Sequence, residues 1–542
     1  MKLLKIGCYP LLFFLLLRTS LQAQSDFQYD IELKPVNIAG LSGLQSYAFA
    51  QHQGKWLIIG GRKDGLHARQ PFNAFPASQN NTLIYVIDIE QKTFKTSSIN
   101  ALQTSLQEHL QATNYNFYQS GDTLYLTGGY AYAASAQDHI TFPYLTTIRV
   151  SALINAIENN ETINNHFKQV RDERLAVTGG ELGKIGNIFY LVGGHRFDGR
   201  YNPMGNPTFT QTYTNEIRKF SVNNTGIQPV ISDYTTINDP IHLHRRDFNL
   251  LPQIFPDGTE GYAVSSGVFQ IGVDLPFLYP VDIKELGYTP VSTFNQYLSH
   301  YHSAKVALYD SLQNKMHNLF FGGMSQYYYQ NGQLIQDNLV PFVRTISRLT
   351  RSSDGSLQEY VLPTSMPALK GAGAEFILNQ KLPHTSSEII KLHKIEKDTI
   401  LLGHIYGGIL SPSLNPFSAN QTNTTTADNS IYAVYLIKKK QANNTPTALP
   451  KEKTYDFEVF PNPNKRKFIV KYHLPKLVSV EYYLTNSKGE IIEEGELTKQ
   501  RVGNNTEEFA ISKSLASQIM ILTIVFDKQY AISKKVSIQK QK

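Results

Sequence analysis

The sequence of 542 residues predicts an all-β protein, made of a six-bladed β-propeller and a smaller β-sandwich. A unit of hydrophobic strand, pair of small residues, polar loop and second strand recurs six times, and repeats of about this length indicate a propeller or a solenoid. The composition points the same way, because 32 Tyr and 29 Phe against only 6 Met suit strands better than helices.

The first residues form a segment of two lysines, an apolar run and a small residue at Ala23. This pattern is typical of a secretory signal peptide, so residues 1–23 are predicted to be removed on export. The single cysteine, Cys8, lies in this leader, and the mature chain is therefore expected to have no disulfide. No later hydrophobic run is long enough to span a bilayer.

The repeated unit is clearest in Lys55–Phe94, where the strand Trp56–Ile59 ends at two glycines and a second strand covers Leu83–Ile89. Glycines at that point let the backbone turn through conformations closed to other residues. In the fourth unit two serines stand where the glycine pair is expected. The six pairs are Gly60–Gly61, Gly128–Gly129, Gly193–Gly194, Ser265–Ser266, Gly322–Gly323 and Gly407–Gly408.

Each unit is predicted to be a four-stranded antiparallel meander, because tight turns such as Gly54-Lys55 and Gly121-Asp122 fit hairpins before the glycine pairs. The sixth unit ends near Ile437 without a fourth strand, and an unpaired extended segment, Tyr29–Val36, precedes the first unit. We expect this N-terminal strand to complete the last blade, since closure removes an open sheet edge.

The order of hydrophobic strand, Gly-Gly, polar loop, aromatic-x-x-Asp and a later aromatic resembles the kelch repeat, with Tyr85, Asp88 and Phe94 as the best match. The resemblance covers about residues 26–440. It implies a kelch-type propeller that binds ligands at the mouth of its central channel.

Residues 441–454 are polar and contain proline, and are predicted to be a linker. The alternating strands of residues 455–542 resemble the C-terminal sorting domain of the type IX secretion system of Bacteroidetes. The matching residues are Pro461-Asn462-Pro463, Lys488-Gly489-Glu490, Gly495 and Lys534-Lys535-Val536. The resemblance implies that the secretion machinery is a partner and that the protein is secreted or held on the outer cell surface.

Candidate ligand-binding residues follow the glycine pairs or begin the first strands, the two places that meet at a propeller mouth. They are Arg62, Tyr115, Tyr130, His195, Arg196, Arg246, Asp247, His302 and Glu375. Arginines, histidines and aromatic rings around a concavity suit an anionic or carbohydrate ligand. Alternatively, these side chains only satisfy buried backbone groups, and Asp247 pairs with an arginine to position its loop.

Two histidine pairs, His242-x-His244 and His300-x-His302, could each chelate a metal, but spacing fixes no carboxylate beside them, so we expect no metal and no cofactor. The net charge of +7, part of it in the leader, is too diffuse to predict nucleic-acid binding.

The leading functional interpretation is a secreted or cell-surface protein that binds a glycan or a protein at the channel mouth. The sequence leaves an enzyme open, namely an exported sugar epimerase or mutarotase resembling the kelch sialic-acid epimerases, with acid–base groups at the mouth.

Overall fold

A computed structural model describes residues 27–203, 208–439, 446–450, 455–511 and 518–539. The predicted signal peptide, 1–23, lies outside these residues. The prediction of an all-β protein is confirmed, because antiparallel sheets make up most of the described chain. None of its helices is long and apolar enough to cross a membrane.

Six antiparallel sheets follow one another along residues 29–439, and the first three are meanders in which each strand pairs with the next. The first sheet contains Ala48–His52, Lys55–Ile59, Leu83–Asp88 and Thr93–Ser98. The second contains Thr113–Ser120, Thr123–Ala133, Tyr144–Arg149 and Phe167–Arg171, with Asp138–Thr141 added beside its second strand. The third contains Glu181–Ile185, Ile188–Val192, Glu216–Asn223 and Val230–Asn238.

The next two sheets have the same order. The fourth contains Asn249–Ile254, Glu260–Ser265, Val281–Lys284 and Gly287–Pro290. The fifth contains Ala304–Asp310, Lys315–Phe321, Thr345–Arg351 and Leu357–Ser365, and short strands extend both of its edges, Ile390–Lys391 and Thr447–Ala448. The second of these short strands lies inside the predicted linker, so part of that segment is an edge strand.

The sixth sheet takes its fourth strand from the other end of the chain. Its strands are Leu369–Leu378, Thr399–Ser411, Ile431–Lys438 and Tyr29–Val36, with Thr426–Ala427 beside the second. Tyr29–Val36 runs antiparallel to Ile431–Lys438, so that Tyr29 lies opposite Lys438 and Val36 opposite Ile431. A backbone edge that would otherwise lie open is thereby paired.

Two hairpins that the sequence did not predict extend from the loops of the third and fifth sheets. Their strands are His195–Gly199 with Phe209–Tyr213, and Tyr327–Gln330 with Gln333–Gln336. The described chain also contains α-helices at Thr104–Leu110 and Val150–Glu158. Single 3-10 turns cover Pro71–Asn73, Ala77–Gln79, Ile99–Ala101, Asn164–His166, Glu173–Leu175, Leu392–Lys394 and Thr422–Thr424.

The second glycine of each pair joins its sheet to the next one. Gly61 donates its N–H to the carbonyl of Ala112 at 2.8 Å, and Gly408 donates to Leu44 at 2.9 Å. The bond from Gly408 ties the sixth sheet to the first. The equivalent bonds elsewhere run from Gly129 to Val177, from Gly194 to Arg245 and from Gly323 to Lys370.

The degenerate pair of the fourth sheet lies one residue later than the sequence pattern suggested. Ser265 still belongs to the strand, whereas Ser266 and Gly267 have the positive φ values, 58° and 97°, that the glycine pairs have elsewhere. The hydroxyl of Ser266 donates to the carbonyl of Phe277 at 3.1 Å, which helps to hold a non-glycine residue in this conformation.

The C-terminal residues form two packed antiparallel sheets around their own core. One sheet contains Phe457–Phe460, Lys467–Leu474 and Gly503–Ala510, and the other Ile491–Glu496, Val480–Thr485, Gln518–Phe526 and Tyr530–Ile538. This unit packs on loops of the fourth sheet, where His242 bonds Ser533 at 2.6 Å and a buried apolar cluster includes Tyr279 and Val525.

Candidate functional site

One residue in the left-handed region of backbone space lies just before or within the first strand of each of the six sheets. We call these residues, whose φ values lie between 46° and 71°, the central ring: Ser46, Asn114, Gly179, Asp247, His302 and Gly373. Backbone hydrogen bonds connect neighbouring members, and the amide of Ser46 donates to the carbonyl of Gly373 at 2.8 Å, between the first and sixth sheets. The other bonds run from Asn114 to Ser46, Gly179 to Asn114, Asp247 to Gly179 and Gly373 to His302.

Two cavities meet at the central ring, each with a volume of about 180 Å³, and Asn114, Asp247 and His302 line both. One of them, which we call the mouth cavity, lies on the side of the residues that follow the glycine pairs. The other, which we call the far cavity, lies along the first strands of the sheets. Arginines line the mouth cavity, whereas carboxylates predominate in the far cavity.

Arg62 and Arg246 supply the positive charge of the mouth cavity. Arg62 is 2% exposed, and its guanidinium bonds both carboxylate oxygens of Asp64, at 2.7 and 2.5 Å, and Asn80 at 2.8 Å. Arg246 pairs with Asp247 and donates from Nε to the hydroxyl of Tyr213 at 3.0 Å. Among the described residues nothing accepts from Nη2 of Arg246, so this group can donate to a ligand.

His195 is a neutral hydrogen-bonding group in the same cavity. Burial, together with the charge of Arg246, holds the pKa of His195 well below its usual range. Gln211 donates to Nδ1 of His195 at 2.6 Å, which leaves the ring proton on Nε2. Burial raises the pKa of Tyr301 to about 12, so its hydroxyl keeps its proton at neutral pH.

The structure divides the predicted residues between the two cavities. The mouth cavity is lined by Arg62, Tyr130, His195, Arg246, Asp247 and His302, and the far cavity by Tyr115, Asp247, His302 and Glu375. Tyr130 and Tyr115 already donate their hydroxyls to backbone carbonyls, those of Gly199 at 2.7 Å and His109 at 2.6 Å.

Arg196 is not brought together with the other predicted residues. Neighbouring residues of a strand face opposite sides, and His195 takes the cavity side of His195–Gly199. The side chain of Arg196 is 46% exposed and pairs with Glu173 and Asp198 at 2.9 and 2.6 Å. It therefore belongs to an outer ion-pair network.

Several lining residues were missed because long loops or accessory strands carry them. In the mouth cavity these are His67, Phe75, Phe197, Tyr201, Gln211 and Tyr301. The aromatic content of the loop after Gly61 is a usable signal, since His67 and Phe75 stack there at 4.8 Å between ring centroids. Glu181 and Lys305 of the far cavity carried no such signal, because charged residues at strand starts are common.

The histidine pairs do not converge on one point. His242 lies at the contact with the C-terminal unit, and His244 stacks on Tyr213 at 3.8 Å between ring centroids. His300 is buried and bonds the carbonyl of Gly322 at 2.6 Å, whereas His302 lines the cavities. In the described part of the chain, no three His, Cys, Asp or Glu side chains are grouped to hold a metal.

Comparison with known proteins identifies no family for this chain: no family model and no curated protein matches it. A solved structure of a protein named YjhT is similar, with a TM-score of 0.40 and 12% sequence identity, over 74% of this chain and the whole of that one. A likeness at this level carries no argument about function.

Proposed function

We propose that the six sheets are the blades of a closed β-propeller and that its mouth cavity binds a small carbohydrate bearing a carboxylate. Backbone bonds join five of the six neighbouring pairs of sheets, including the sixth and the first through Ser46–Gly373 and Gly408–Leu44, and this arrangement supports the propeller. The proposal includes export through the type IX secretion system, with the C-terminal unit as sorting domain and a secreted or cell-surface destination.

The main support for a ligand with a carboxylate is the guanidinium of Arg246, whose Nη2 lacks a partner in the described chain. Arginine binds carboxylates with charge-assisted hydrogen bonds. Neutral His195 and the hydroxyl of Tyr301 line the same cavity and can bond sugar hydroxyls. Phe197, which lines the cavity and stacks on Phe209 at 4.6 Å between ring centroids, contributes to the apolar wall typical of ligand pockets.

The size of the cavity favours a small ligand over a protein segment. A volume of about 180 Å³ is below the roughly 300–1,000 Å³ of pockets that hold drug-sized ligands. A single sugar unit, or the end of a glycan, is therefore the expected occupant.

Replacing Arg246 with alanine is expected to weaken binding of glucuronate by about 10- to 100-fold, the usual value of a hydrogen bond to a charged group. Titration calorimetry on the folded protein measures this, with glucose as the uncharged ligand. Arg196→Ala is the matched control, since it removes an arginine outside the cavity. Tyr301→Phe, which leaves the Arg246–Asp247 pair intact, is expected to weaken binding less.

Equal binding by Arg246→Ala and wild type, or equal affinity for glucose and glucuronate, would contradict the proposal. A loss caused by Arg196→Ala instead would place the ligand on the outer network.

An epimerase or mutarotase is the second candidate, because the Asp247 carboxylate and the Arg246 guanidinium lie within hydrogen-bond reach of each other in the cavity. Such an enzyme needs groups that take and return a proton on the sugar. NMR exchange spectroscopy of the two glucuronate anomers distinguishes the two candidates. An enzyme is expected to speed the exchange between the anomers, and Asp247→Asn is expected to abolish this effect. A binding protein is expected to leave the exchange rate unchanged.

A further inference from the structure

The far cavity is the acidic end of the channel. Four carboxylates line it, those of Glu181, Asp247, Glu375 and Glu388, against the single ammonium group of Lys305. Lys305 is already engaged, since its Nζ lies 3.0 Å from Glu181 Oε1. Burial lowers the pKa of His302, which therefore adds no positive charge at neutral pH. Carboxyl groups therefore outnumber cationic groups in the wall of this cavity.

Two side-chain oxygens in the wall between the two cavities have no donor. Oδ1 of Asn114 and Oδ1 of Asp247 are buried and have no hydrogen-bond partner. The Asp247 side chain is only 10% exposed, and its other oxygen pairs with Arg246. Among the described residues, nothing donates to the carboxylate of Glu375 either. Buried acceptors cost free energy when unpaired, so a ligand that brings N–H donors would be stabilised here.

Aromatic and apolar side chains form the rest of the wall. Those nearest the first strands are Phe49, Tyr115, Phe117, Tyr118, Tyr262 and Phe376. Aromatic faces attract cations as well as apolar groups. A hydrated metal ion gains little from such a wall, and an anion would face the carboxylates.

We propose that the far cavity binds an organic amine, with its ammonium group held by Glu375, Asp247 and Asn114 and its apolar body against the aromatic wall. An ammonium group has three donors and no acceptor, which matches three acceptors without donors. This site meets the mouth cavity at Asn114 and Asp247, which line both, and the two cavities bind ligands of opposite charge.

Binding is coupled to a proton on Glu375. Burial raises the pKa of Glu375 to about 8, Lys305 opposes the shift and Glu181 adds to it. The carboxyl therefore carries a proton at pH 7, and an arriving ammonium group expels it. The titratable groups around it are Tyr47 before the first sheet, Glu181 on the third, Asp247 before the fourth, His302 and Lys305 of the fifth, and Glu388 in the loop that follows the strand of Glu375.

The test is calorimetric titration with benzylamine, with benzyl alcohol as the uncharged ligand of the same shape. Repeating the titration in buffers with different ionisation enthalpies measures the protons released. We expect benzylamine to bind at least about tenfold more tightly than benzyl alcohol. Proton release on amine binding is expected at pH 7 and should fall as the pH rises through the pKa of Glu375, where the carboxyl is already ionised.

Glu375→Gln keeps the shape of the side chain and removes its charge. It is expected to lower benzylamine affinity about tenfold or more and to abolish proton release. Glu32→Gln, the same change on a half-exposed side chain of the N-terminal strand, is the matched control and should leave both values unchanged. Saturating glucuronate should also leave amine binding intact, so failure at the mouth cavity is distinguishable from failure here.

Absence of benzylamine binding, equal affinity for benzyl alcohol, or unchanged affinity in Glu375→Gln would each overturn the proposal.

Discussion

Replacing Gly128 with alanine is expected to destabilise the protein by about 4 kcal/mol or more, a loss found when a buried backbone contact must break. Gly128 has a φ of 67°, and an added Cβ would lie 1.7 Å from the carbonyl oxygen of Val177. That oxygen accepts from Gly129 N at 3.0 Å and from Asn116 Nδ2 at 2.8 Å. It cannot move without breaking the connection between the second and third sheets.

Gly121→Ala is the matched control for this prediction. Gly121 also has a positive φ, 59°, but nothing lies within 4 Å of an added Cβ. Alanine should cost only the roughly 1–2 kcal/mol of left-handed backbone strain there. The midpoint of urea unfolding, followed by the fluorescence of Trp56, measures both variants. Equal losses would mean that backbone strain alone, and not the Val177 contact, sets the effect.

Replacing Ile31 with aspartate is expected to detach the N-terminal strand from the sixth sheet and to cost several kcal/mol. Ile31 is 5% exposed, lies opposite Leu436 and belongs to the core shared by the fifth and sixth sheets. A carboxylate there is buried without a partner, and the edge of Ile431–Lys438 loses its pairing strand. Aggregation through this edge is expected to follow.

The single tryptophan reports on this junction directly. Trp56, on the first sheet, is 2% exposed and lies 5.3 Å from the ring of His404 on the sixth, between ring centroids. Its emission should shift to longer wavelength in Ile31→Asp at lower urea than in wild type. Glu32→Ala, a change at the next residue, whose side chain is half exposed, is expected to stay within about 0.5 kcal/mol of wild type. Equal unfolding of Ile31→Asp and wild type would contradict the role given to this strand.

Local features of the sequence were enough to locate most of the strands. A strand that ends at Gly60–Gly61 leaves a mark in the sequence, because the positive φ values of 65° and 81° nearly demand glycine. The same reasoning placed the fourth pair at Ser265–Ser266, one residue too early. A serine held by its own hydrogen bond to Phe277 can replace glycine, and no sequence pattern shows that bond.

By itself, the sequence determined an all-β chain of six similar units, an N-terminal strand available for pairing, and a set of arginine, histidine and aromatic candidates. Only the tertiary structure decided how those candidates divide: Arg246 and His195 at the mouth, Glu375 in the far cavity, Arg196 outside. Strand period and glycine preference act between neighbouring residues, so they can be read along the chain. The lining of a cavity, in contrast, comes from residues of six sheets that lie hundreds of positions apart. Whether a given side chain faces the cavity changes from one residue to the next, and only the packed backbone sets this.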